Sequence, residues 1–174
     1  MAISFMHDQE TDLAIFTLTG DFNLDEWLSA ARAGAFPPAS LEIMDLRRCN
    51  LNAMRSMDLA RFTRYLRSAM DKGRLIPGKT AIVANEDGPR RYSSAHRLFH
   101  NFSIFAEENK LPRDFKLFTT VKDALDWIGN REIIAKHAPA LHKDASDRGA
   151  DATMQASSYK LLARPTVARC LTRR

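Results

Sequence analysis

The stretch "KTAIVAN", residues 79–85, does most to narrow what this chain can fold into. It is apolar almost throughout, too short for a helix, and preceded by the turn "RLIPG". Such a run reads as a parallel strand covered on both faces. Parallel strands cannot be joined by tight turns, so the chain must supply crossover helices.

It does. "SMDLARFTRYLRSAMDKG" (56–73) precedes the run, with Ser56 as the expected N-cap and Gly73 past the end. "GPRRYSSAHRLFHNFSIFAEENK" (88–110) follows it, with Pro89 in the first turn and Ala95, Phe99, Phe102 and Ala106 on one stripe. Upstream, "AISFMH" (2–7) and "LAIFTLTG" (13–20) read as an antiparallel hairpin across a short polar link. "DFNLDEWLSAARAG" (21–34) reads as a helix capped by Asn23 with Glu26 three residues on, and Leu24, Trp27, Leu28 and Ala31 form its apolar stripe. "LEIMDL" (41–46) is the third strand, followed by irregular chain. "FKLFT" (115–119) and "TVKDALDWIGN" (120–130) are the last strand and helix, with Trp127 at the edge of the apolar face. The expected fold is α/β: a five-stranded mixed sheet, N-terminal hairpin antiparallel and the remainder parallel, with four helices.

About 45% of residues are hydrophobic, enough for one core. The longest strictly aliphatic or aromatic run is "LAIF" (13–16), far below the roughly 20 residues of a membrane span. The N-terminus has no signal-peptide pattern, and Cys49 and Cys170 fit no disulfide framework, which points to a cytoplasmic protein. The net charge is +5, and residues 138–174 hold seven Lys/Arg against three Asp. That leaves 19 basic and 18 acidic residues in 1–137, so a nucleic-acid face on the folded body is not expected. Residues 1–137 read as the domain. Residues 138–174 read as a basic, largely disordered tail.

Three pieces, "LTGDFNLDEWLSAA", "LEIMDLRRCNLNAMRSMDLARF" and "FKLFTTVKDALDWIG", together resemble the STAS-like group related to the anti-sigma-factor antagonist fold. The resemblance spans about Ala2 to Gly129. It implies a non-enzymatic regulatory module that binds a protein partner around its second helix. In the well-known antagonists a serine at the start of that helix is phosphorylated by a partner kinase. The corresponding stretch here, "LNAMRSMD", has no Asp-Ser pair and no glycine, and its nearest hydroxyl is Ser56. Ser56 is therefore the phospho-acceptor candidate, set against plain helix capping.

Other residues carry competing readings. Arg61, Arg64 and Arg67 are either a docking face for an acidic partner or a solvated face paired with Asp58 and Asp71. Arg90 and Arg91, at a helix start after a parallel strand, are the candidate site for a small anionic or amphipathic ligand; the alternative is neutralisation by Glu86 and Asp87. Asp45 has only Asp21 as a partner for phospho-acceptor chemistry, so its expected role is to end a strand and bond loop N–H groups, Arg47 or Arg48. His96 and His100 share a helix face but lack a third ligand, so no metal is expected, nor any cofactor. Cys49 has no histidine or acid placed to activate it, and no catalytic set emerges. The leading expectation is an interaction module; the alternative is a ligand carrier or sensor.

Overall fold

The computed structural model describes residues 1–85 and 94–129. Arg90, Arg91, their neighbours Glu86 and Asp87, Cys170 and the 138–174 tail lie outside the described residues.

The described chain runs β1 (Ala2–Asp8), β2 (Leu13–Asp21), α1 (Leu24–Arg32), β3 (Leu41–Asn50), α2 (Ser56–Asp71), β4 (Gly78–Val83), α3 (Ser94–Glu108), β5 (Arg113–Phe118) and α4 (Val121–Ile128). The sheet order follows the chain, β1-β2-β3-β4-β5. β1 pairs antiparallel with β2, and every later pair is parallel. The described residues form an α/β fold with a five-stranded mixed sheet and four helices, as the sequence leads one to expect.

Strands laid down one after another in one direction, with right-handed crossovers, put all their helices on one face. α1, α2 and α3 accordingly share one cluster with Ala14, Phe16 and Leu18 of β2. α4 follows the edge strand and folds back beneath the sheet. There Val121, Ala124, Leu125 and Ile128 meet Leu13, Ile15, Ile43, Ala81 and Val83. β2 thus sends alternate side chains to two covered faces, and so does β4, which is why both read as continuous apolar runs.

The helix ends follow their local chemistry. Asn23 Oδ1 accepts from the N–H groups of Asp25 and Glu26 at 3.0 and 3.2 Å, and Glu26 accepts from the Asn23 amide. Thr120 Oγ1 caps α4 by accepting from Asp123 N at 3.1 Å. Gly129 closes that helix at φ 88°, in the left-handed region that glycine enters without strain. Trp127 is half-buried, its ring 5.6 Å from that of Phe118.

Two expectations are corrected. Ser56 is not the N-cap of α2 but its first residue. Extended Arg55 holds the cap position (φ −109°, ψ 161°), and the Asp58 carboxylate accepts its backbone N–H at 3.0 Å. That is half of a capping box, so no hydroxyl is needed. Nor does β3 stop at Leu46: it continues to Asn50, paired to Thr19, Gly20 and Asp21 of β2 after a register shift. Pairing with β4 ends at Asp45, so among the described residues the extension has β2 as its only strand neighbour. Polar side chains such as Arg47 and Arg48 are tolerated there because that length is not sandwiched.

Candidate functional site

Between the sheet and the α1–α2 pair lies an apolar cavity of about 300 Å³. Aromatic residues build its walls. Trp27 of α1 meets Phe62 of α2 edge-on at 4.9 Å, and Phe36 touches both Phe16 and Trp27, at 5.1 and 5.8 Å. Rigid rings contact each other at edges and leave gaps that flexible aliphatic chains would fill. Small residues facing the same space, Ala31 of α1 and Ala69 of α2, widen the gap.

The floor is polar. Glu42, Thr80 and Arg113 line the cavity from β3, β4 and β5. Arg113 is buried and uses all five N–H groups. Nε donates to Thr80 Oγ1 (3.0 Å), Nη1 to the carbonyls of Ala39 and Ile76 (2.9 and 2.7 Å), and Nη2 to those of Ser40 and Lys79 (3.3 and 3.1 Å). It therefore clamps the entries of β3 and β4 to β5. Gly78 permits the close approach, since a Cβ there would sit 1.8 Å from Ser40 O. Thr80 in turn donates to Glu42 Oε2 at 3.0 Å, and Arg113 Nη2 lies 3.4 Å from the same oxygen. Glu42 Oε1 has no partner among the described residues. Burial pushes the Glu42 carboxyl above its ordinary range, against the pull of Arg113 and Thr80. Burial likewise lowers Arg113, with Glu42 opposing.

The rim is basic. A shallow groove along α1 and α2, lined by Arg32, Arg61, Arg64, Lys72 and Arg74, shares Tyr65, Ala69 and Arg74 with the cavity. Arg32 sits 5.8 Å from the Tyr65 ring centre, and Arg74 donates to Arg32 O at 3.4 Å. Tyr65 is pushed up by burial, partly offset by Arg74 and Arg32.

Residues singled out from the sequence mostly stand elsewhere. Asp45 is 6% exposed and bound by Arg47 three ways, through its backbone N (3.1 Å), Nε (2.9 Å) and Nη2 (2.7 Å). It holds Arg47 within the strand and does not end it. Asp21 pairs in register with Asn50, whereas Asp45 pairs with Thr17. The two carboxylates are thus several residues apart along the sheet, roughly 3.3 Å per residue, and share no site. Ser56 is exposed, and its Oγ accepts from Asn101 Nδ2 at 3.1 Å. Arg61 pairs with Asp25 (2.6 Å) and Asp58 (3.8 Å), and Arg67 with Asp71 (3.3 Å). Arg64 lines the basic groove, where its Nε donates to Ala60 O at 3.1 Å. The Cys49 thiol is pushed up, chiefly by burial, which disfavours a thiolate. His96 is part-buried and His100 exposed. Among the described residues, no group of three or more His, Cys, Asp or Glu side chains is placed to hold a metal ion.

The cavity was missed because it lies at the N-terminal ends of the parallel strands, whereas α/β folds usually bind ligands at the C-terminal ends. A signal was present nonetheless. In "LEIMDL", Glu42 shares alternation with Met44 and Leu46, so a carboxylate interrupts an apolar face. A scan against protein-family models and a search of curated proteins find no match for this chain. No helix among the described residues is long and apolar enough to cross a membrane.

Proposed function

We propose that this chain binds a small amphipathic anion, as a carrier or sensor, with the apolar part in the α1–α2 cavity and the anionic head on the basic rim. One observation carries this reading: an aromatic-walled cavity and a groove of arginines and lysine share Tyr65, Ala69 and Arg74. Ligand pockets are mostly apolar with a few placed polar groups, and about 300 Å³ is at the lower end of their range. Arginine is well suited to carboxylate or phosphate heads, because its planar fork donates two parallel bonds. The residues are not Arg90 and Arg91, although the ligand class is the one their sequence suggests. The test is titration of the purified full chain with decanoate, followed by tryptophan fluorescence, since Trp27 lines the cavity. Saturable binding that weakens about tenfold in Arg74→Met is expected, the loss of one charge-assisted contact. Absence of saturation overturns the reading.

A second reading, the STAS-like interaction module, has its own observation. Met57 is 69% exposed in the first turn of α2, beside the accessible Ser56. An exposed methionine next to a hydroxyl at a helix start suits a protein contact whose charge a kinase would change. A defined partner would be captured by wild type and lost in both Ser56→Asp and Met57→Lys. Undiminished capture by both variants removes this reading.

A further inference from the structure

The floor of the cavity carries an unused hydrogen-bond acceptor. Glu42 Oε2 is occupied by Thr80 and approached by Arg113, while Oε1 has no partner among the described residues. The Glu42 side chain is 15% exposed, and Oε1 keeps contact with solvent through the cavity it lines. A buried polar atom left unpaired costs about 1–3 kcal/mol. A purely hydrocarbon occupant would strip water from Glu42 Oε1 and impose that cost.

The clamp explains why Glu42 is available. Arg113 spends its donors on four carbonyls and Thr80, and reaches Glu42 only at 3.4 Å. The arginine therefore fixes the strands, and the carboxylate is held in place by Thr80 with one oxygen to spare. The floor sets Glu42 beside Arg113 and Thr80, whereas Arg32 and Arg74 stand at the basic rim. At roughly 30 Å³ per water-sized group, the cavity admits a chain of about ten non-hydrogen atoms.

We propose that Glu42 reads a hydroxyl group on the buried part of the ligand, so that the preferred occupant is a medium-chain anion bearing a hydroxyl remote from its charged head. A hydroxyl donates one hydrogen bond and accepts others. It thus suits the free carboxylate oxygen on the cavity floor. The proposal rests on the anion-binding reading above and adds the recognition of the inner end.

The experiment compares decanoate with its terminally hydroxylated counterpart on the full chain, in parallel calorimetric titrations. Wild type should bind the hydroxylated acid about tenfold tighter, the worth of one hydrogen bond to a charged acceptor. In Glu42→Leu the order should reverse, because the hydroxyl is then buried without an acceptor. Equal affinities in wild type, or tighter binding of plain decanoate, overturn the role of Glu42 and leave anion binding standing. If neither acid binds saturably, the underlying reading falls as well. The wild-type comparison decides the matter even where Glu42→Leu fails to fold. Retention of the hydroxyl preference in a folded Glu42→Leu assigns that preference to another group and overturns the proposal.

Discussion

The two faces of the sheet are packed by different means. Beneath it, α4 presses small and aliphatic side chains together, and Leu13, Ile43, Ala81, Val83 and Ala124 are wholly buried there. Above it, aromatic rings from α1, α2, α3 and the strands touch edge to face and leave a cavity. The lower face is filled by apolar packing. The upper face keeps its gap because Arg113, Thr80 and Glu42 fix the strand ends below the cavity by hydrogen bonds. A domain can leave one layer underfilled when the other supplies the packing and a polar clamp replaces missing contacts.

The comparison is broken most severely at the clamp. Arg113→Met removes donors to four carbonyls and strands Glu42, and should cost about 4 kcal/mol in urea denaturation. A loss below about 1 kcal/mol would show that packing alone holds the upper face. Ile43→Ala, on the filled side, should cost about 3 kcal/mol and leave decanoate binding unchanged. Ala124→Met overfills the same side and should cost about 2 kcal/mol.

Asp12 tests the edge that both faces share. Its carboxylate accepts Ser40 N–H at 3.0 Å, and its carbonyl accepts Leu41 N–H at 3.1 Å. Burial raises its pKa, but the Ser40 bonds and nearby His7 lower it more, so the folded value is depressed. Its contribution is present at neutral pH and lost as pH falls through that depressed value. Asp12→Asn should therefore cost about 0.5–1 kcal/mol at pH 7, with the gap to wild type closing in acid. A gap that widens in acid contradicts this. The smallest stability effect sharpens the contrast most. Ala69→Met puts the same side chain as Ala124→Met into the empty layer. It should change stability by no more than about 0.5 kcal/mol while abolishing decanoate binding.

The sequence alone determined the order and type of the elements, because period-two and period-3.6 apolar patterns and their capping residues are local. Asn23, Thr120 and Gly129 act where local chemistry assigns them, and Val121, Ala124, Leu125 and Ile128 form the buried stripe of α4 at helical spacing. The pairs of Arg61 with Asp58 and Arg67 with Asp71 were legible for the same reason, since helix geometry fixes neighbours three and four apart. The length of β3 was not legible: whether Arg47 and Arg48 stay in a strand depends on which neighbours flank it. The cavity was the least legible feature. Its parts come from Trp27, Glu42, Phe62, Thr80 and Arg113, spread over 87 residue numbers, and its emptiness arises from how rings of fixed shape meet. Only the tertiary structure decided that Arg113 would bind backbone carbonyls and leave one oxygen of Glu42 unpaired, because that depends on three strand ends converging at hydrogen-bond distance.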